Sequence, residues 1–144
     1  MNKLTKPIYI IGLSTYTSSN DAQQEIGKLW ASFFKAAIKD SLKNIVSDSI
    51  FSVYSDYKNK DRHCYKVTIG YAVDNLNEAP SGLSFITIPA GSYQVYKPKS
   101  KSPHDIVATW EKIWAADIKI LPRNFIVDFE EYEEEGVLIN IGCN

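Results

Sequence analysis

Two stretches, IGKLWASFF (residues 26–34) and IVATWEKIW (residues 106–114), decide how this chain is read. Aligned, they pair Ile26 with Ile106, Trp30 with Trp110 and Phe34 with Trp114. In each, apolar residues recur every three or four positions, which lines one face of a helix. The first stripe runs through Ile26, Leu29, Trp30, Phe33, Phe34, Ala37 and Ile38, with Ser19 or Asn20 available as its cap. The second runs through Ile106, Trp110, Ile113 and Trp114, behind Ser102 as a cap and Pro103 at the first helical position.

Outward from these helices the same order of elements occurs twice. PIYIIGLSTYTSS (7–19) is rich in β-branched and aromatic residues and predicts a strand. SIFSVYSDYKN (49–59) and CYKVTIGYAV (64–73) predict a strand pair joined by the polar tip KNKDRH. DNLNEAPSGLS (74–84) is the longest turn-rich segment and the natural midpoint. FITIPAGSYQVYKP (85–98) then predicts a strand with a bulge or bend at Pro89-Ala90-Gly91. NFIVDFEEYEE (124–134) and GVLINIGCN (136–144) predict a closing hairpin.

The halves also match in residues. VYSDY aligns with DFEEY, pairing Tyr54 with Phe129 and Tyr57 with Tyr132, and KVTIGYA aligns with VLINIGCN, pairing Ile69-Gly70 with Ile141-Gly142. The expectation is one α+β domain over residues 1–144, a duplicated β-α-β-β module with halves of about 7–74 and 84–144. Approximate two-fold symmetry would place an antiparallel sheet and two main helices around a central cleft, a frequent place for a ligand.

Composition narrows the function. A formal net charge of −1 is not that of a nucleic-acid binder, so no direct nucleic-acid binding is expected. Lys97, Lys99 and Lys101 flank Pro98 in a loop and carry no phosphate-site pattern. The two cysteines, Cys64 and Cys143, make no C-x-x-C and no metal spacing, which fits a reduced cytoplasmic setting with no metal and no cofactor. MNKLTKPIYIIGL has too short an apolar stretch for a signal peptide, and no run approaches a membrane span. Aromatics are plentiful, with nine Tyr, six Phe and three Trp, enough to line a pocket for flat organic molecules.

The acidic run begins at Asp128 and includes Glu130, Glu131, Glu133, Glu134 and Glu135. Glu131 and the three glutamates after Tyr132 read as a solvated hairpin tip. Glu130 lies upstream, within the apolar alternation of the strand.

In order and motif the chain resembles the effector-binding domain of bacterial transcription activators, also called the GyrI-like small-molecule-binding domain. The residues that carry the resemblance are IGLSTYTSSN, IGKLWASFF, VYSDY followed by YKVTIGYAV, IPAGSYQVY, WEKIW and DFEEYE, and they span nearly the whole chain. The resemblance implies the duplicated β-α-β-β fold and binding of amphipathic, often cationic, organic molecules. It also implies a recognition glutamate in the last hairpin, which falls on Glu130 of Asp128-Phe129-Glu130-Glu131-Tyr132. The family's regulators place a helix-turn-helix ahead of this module. Here the module begins almost at residue 1, so a transcription factor acting alone is not expected.

A carboxylate in an apolar cleft is costly unless a cation compensates it, and aromatic faces add cation–π attraction. The candidate cage around Glu130 is Trp110, Tyr71, Tyr93 and Tyr132, the last sharing strand parity with Glu130. The expected partner is an amphipathic cationic small molecule, with a protein partner or homodimer left open. Two other readings stand beside it: a protein-interaction module of the gyrase-inhibitor type, and a small hydrolase using Glu130 as general base. No catalytic residues are assigned. His63 and Cys64, adjacent on a strand, would point to opposite faces, and His104 falls in a helix's first turn.

Overall fold

The structure, a computed structural model, describes residues 2–18, 21–58, 64–77 and 79–144. The strands are β1 (Asn2–Leu4), β2 (Ile8–Tyr16), β3 (Ile45–Ser55), β4 (Lys66–Val73), β5 (Ser84–Ile88), β6 (Gly91–Tyr96), β7 (Arg123–Tyr132) and β8 (Val137–Cys143). The helices are α1 (Ala22–Ala36) and α2 (Pro103–Ala115). The strands form an 8-stranded sheet in the order β1-β6-β8-β7-β3-β4-β2-β5, antiparallel throughout. The α+β class is therefore as expected.

Both helices form on the expected stripes, but α1 stops at Ala36: Ala37 turns left-handed and Ile38 falls in a short 3-10 turn. Ser102 caps α2, its hydroxyl accepting from the Asp105 amide at 3.2 Å, and Pro103 opens the first turn. Asp21 stands at the N-cap of α1 with no side-chain hydrogen bond to the helix. The expected caps Ser19 and Asn20 lie outside the described residues, as do residues 59–63 of the first hairpin tip, His63 included.

The segment 85–98 corrects the sequence reading. It is two strands rather than one bulged strand, because Pro89 has no amide hydrogen to continue a ladder. β5 pairs with β2, whereas β6 pairs with β1 and β8. In a flat sheet six strand spacings of about 4.8 Å would separate β5 from β6. Ile88 and Gly91 are three residue steps apart, which spans at most ~11 Å. The sheet must therefore curl until its two ends nearly meet.

That curl divides the core in two. Strand alternation sends Phe51, Val53, Val127 and Phe129 to one face, where they cluster with Ile10, Ala72, Ile88 and Tyr93. These residues come from both ends of the sheet, so this is the inside of the curl. The other face carries Tyr54, Val67, Ile69, Ile139 and Ile141, covered by Leu29 and Phe33 of α1 and by Trp110 and Ile113 of α2. Tight coiling shows at the register pair Gly12 and Gly70: a Cβ on Gly12 would sit 1.8 Å from the Ile69 carbonyl oxygen. No side chain fits between those strands.

Candidate functional site

β3 and β7 are neighbours at the middle of the sheet, with Ser52 opposite Glu130 and Tyr54 opposite Asp128. Even-numbered residues of both strands face the helices, so Glu130 and Tyr132 lie beside Tyr54 beneath α2. Glu130 is 2% exposed. Its Oε2 accepts a hydrogen bond from Trp110 Nε1 at 2.6 Å, and its Oε1 accepts one from the Tyr132 hydroxyl at 2.7 Å. Trp110 meets the Tyr54 ring edge-on at 5.4 Å, and Trp30 of α1 meets the Tyr132 ring edge-on at 5.2 Å. Thus α2 reaches the carboxylate directly through Trp110, and α1 only by way of Trp30 against Tyr132.

Burial pushes the Glu130 carboxyl above the usual glutamate range, and hydrogen bonds from Tyr132, Trp110 and Tyr54 only partly oppose it. The tyrosines respond in turn. Burial raises Tyr54 well above the usual phenol, and Tyr132 likewise, with the Glu130 charge adding to both. Among the described residues no lysine or arginine ion-pairs with Glu130.

Asp128, two residues earlier on the same face, is treated differently. Fully buried, it pairs with Arg123 at 2.7 Å, accepts from the Tyr57 hydroxyl, and accepts from the Gly142 amide at 2.9 Å. Arg123 in turn stacks 4.2 Å from the centre of the Phe125 ring. One buried acid therefore has an internal cation, and its neighbour has neutral donors alone.

Of the residues singled out in the sequence, Trp110 and Tyr132 touch Glu130. Tyr71 is on the same face but packs 5.4 Å from Phe33, with the Lys39 ammonium 6.0 Å from its ring. Tyr93 is not brought to Glu130. It lies inside the curl, 5.3 Å from Phe129, with its hydroxyl donating to the Pro89 carbonyl, and burial pushes its phenol up to about 12. Residues 133–135 are exposed as expected, but Glu131 is half-buried and its carboxyl is raised by that burial. Tyr54 and Trp30 complete the surroundings and were not singled out. The match of Tyr54 to Phe129 marked it as a strand residue without saying what it faces.

Glu130 lies enclosed, with Trp110 and Tyr132 hydrogen-bonded to its carboxylate. A depression of about 360 Å³ lies between Lys6, Tyr9, Val46 and Asp74, and another of about 170 Å³ between Pro89, Tyr93, Asn124 and Cys143. Neither is lined by Glu130. Among the described residues no three His, Cys, Asp or Glu side chains are grouped to hold a metal ion. No described helix is long and apolar enough to cross a membrane.

The sequence profile of the GyrI-like small molecule binding domain matches residues 3–137, and the chain belongs to that family of binding modules. Solved structures share the fold at low identity. An integron cassette protein from the mobile metagenome of Vibrio cholerae superposes with a TM-score of 0.75 at 20% identity, over 98% of this chain and 93% of its own. A protein bound to tetraphenylphosphonium superposes at 0.79 with 15% identity, over 100% of this chain and 94% of its own. A protein from Staphylococcus aureus MU50, described as a candidate in bacterial transcription regulation, superposes at 0.70 with 16% identity, over 97% and 94%. No curated protein matches the sequence.

Proposed function

We propose that this member of the GyrI-like family binds amphipathic organic cations, with Glu130 as their counter-charge and Trp110, Tyr132 and Tyr54 as the surrounding rings. The observation that carries the reading is the Glu130 carboxylate, 2% exposed and without an ion-pair partner among the described residues. Leaving such a group unpaired costs free energy that neutral hydrogen-bond donors recover only in part. A bound cation recovers more, and each ring it meets adds about 0.5–2 kcal/mol. A ligand whose charge is spread over apolar groups loses little hydration on entry. The tetraphenylphosphonium bound by a protein of the same fold is a cation of that kind.

Entry requires a rearrangement, since Trp110 and Tyr132 hydrogen-bond the carboxylate directly. The cation takes up the interaction those donors make in its absence, and the rings turn from donors into apolar walls. Such a site asks for charge and aromatic or aliphatic bulk rather than a directional hydrogen-bond pattern, so breadth of ligand shape follows.

The duplicated β-α-β-β origin belongs to the same proposal. It is supported by a strand order in which β6-β8-β7 on one side mirrors β2-β4-β3 on the other, with each helix between the first and second strand of its triplet. The two halves would then meet along β3 and β7, which is where Glu130 lies.

Calorimetric titration of wild type and Glu130→Gln with tetraphenylphosphonium and with neutral triphenylphosphine oxide tests the function. The cation should bind wild type and lose about 10- to 100-fold in the variant, the equivalent of about 1.4–2.8 kcal/mol, with the neutral compound unchanged. Equal cation affinity for the two proteins would remove the counter-charge role.

A further inference from the structure

Phe34 and Trp114 are large aromatic side chains left 63% and 55% exposed, on α1 and α2 respectively. Each sits one helical turn beyond an inner tryptophan. Phe34 stacks on Trp30, ring centres 5.8 Å apart at 26°, and Trp114 lies against Trp110 at 6.1 Å and 31°. Trp30 continues to Tyr132, whose hydroxyl donates to Glu130, and Trp110 donates to Glu130 directly. Two ladders of rings therefore run from solvent to one carboxylate, one along each helix. Among the described residues no ring contact joins one helix's ladder to the other's before they reach Glu130.

We infer that Phe34 and Trp114 form an outer aromatic rim that selects cations carrying at least two separate aryl groups. The inference rests on the proposed role of Glu130. Each exposed ring continues inward into a second ring, so each helix offers an extended aromatic surface on which a flat aryl group can lie. A ligand with its charge between two aryl arms fits the arrangement: the charge meets Glu130, and each arm lies along one helix against its outer ring. A cation with one small ring meets the carboxylate and an inner tryptophan but cannot reach both outer rings. The rim thus adds affinity in proportion to the ligand's arms, while the carboxylate sets the requirement for charge. Phe34 and Trp114 are specificity-determining residues in this scheme and take no part in holding the charge.

The test is calorimetric titration of wild type, Phe34→Leu, Trp114→Leu, their double variant and Glu130→Gln. The probes are tetraphenylphosphonium, with four aryl groups, and benzyltrimethylammonium, with one. Leucine keeps apolar cover over Trp30 and Trp110 while removing the flat face, and the thermal midpoint of each variant checks that cover. Each leucine variant should bind tetraphenylphosphonium about 2- to 5-fold more weakly, the double variant by about the product, and benzyltrimethylammonium within about twofold of wild type. Phe34→Tyr and Trp114→Phe should restore the loss. If the leucine variants leave tetraphenylphosphonium unchanged, or weaken both cations alike, while Glu130→Gln still loses them, the rim inference is overturned and the counter-charge stands. If Glu130→Gln binds both cations as wild type does, the counter-charge falls and the rim inference falls with it.

Discussion

Trp110 Nε1 lies 2.6 Å from Glu130 Oε2, joining the only tryptophan buried in α2 to a carboxylate in the middle of the sheet. A helix that packs by apolar contact alone could slide or rotate slightly at little cost. This directional bond pins α2 over β7 at one register. Glu130 is therefore a fastening of the fold as well as the candidate anchor for a ligand, and the two roles separate in their dependence on pH.

Replacing Trp110 by Phe keeps a ring against Tyr54 and removes the donor. The ionised carboxylate needs that donor more than the neutral acid does, so the Glu130 carboxyl should rise further. We expect a loss of about 1–3 kcal/mol in urea unfolding near neutral pH and a smaller loss below pH 5. A loss independent of pH would mean that packing alone is at stake.

The raised carboxyl has a stability consequence whose sign is definite. A group that holds its proton more tightly when folded stabilises the fold fully below its unfolded value, near 4.5, and that contribution is lost as pH rises toward the folded value. Stability of wild type relative to Glu130→Gln should therefore fall as pH rises through that window, by at most about 1.4 kcal/mol per unit. Denaturation curves of both proteins at several pH values give the difference, from which the other carboxylates cancel. A difference that grows with pH would contradict the assignment.

Cation binding should show the opposite trend. A bound cation favours ionised Glu130, so binding to the protonated form releases a proton. Affinity for tetraphenylphosphonium should fall as pH drops below the raised Glu130 value, approaching about tenfold per unit. Affinity for triphenylphosphine oxide should stay flat, and Glu130→Gln should flatten the cation profile. Titrations in two buffers of different ionisation heat would count the released proton.

Arg123 and Lys39 provide a contrast between buried and exposed pairing. Arg123→Ala leaves the enclosed Asp128 without its ion-pair partner, and we expect a cost of about 3–5 kcal/mol. Lys39→Ala removes an ion pair to Asp48 whose two side chains are half and nine-tenths in solvent, and its unfolding midpoint should stay close to that of wild type. Equal effects from the two substitutions would show that Asp128 is stabilised chiefly by Tyr57 and the Gly142 amide.

Much of this arrangement was legible in order along the chain. Both helices, the Ser102 cap with Pro103 behind it, and the hairpin carrying Glu130 follow from local spacing and local hydrogen bonding. So does the shared face of Glu130 and Tyr132, because residues two apart on a strand point the same way. The alignment of Trp30 with Trp110 and of Phe34 with Trp114 was likewise visible in the sequence, and these four rings, with Tyr132, make the two ladders.

Tyr93, Tyr54 and Asp128 were not legible, for one reason. Which face a strand residue occupies depends on which strand lies beside it and in what register, and a single step of slip reverses the answer. The turn at Pro89-Ala90 starts β6 at the sheet's other end, which the curl brings close, and there Tyr93 pairs with Gly142 and faces inward. The pairing of β3 with β7 crosses more than seventy residues and brings Tyr54 to the Glu130 side. Sequence by itself determined the elements and the strand on which the unusual glutamate sits, because those depend on neighbours a few residues away. Only the tertiary structure decided that Asp128 receives a cation and Glu130 does not, because burial and charge pairing are set by groups that the chain brings together from a distance.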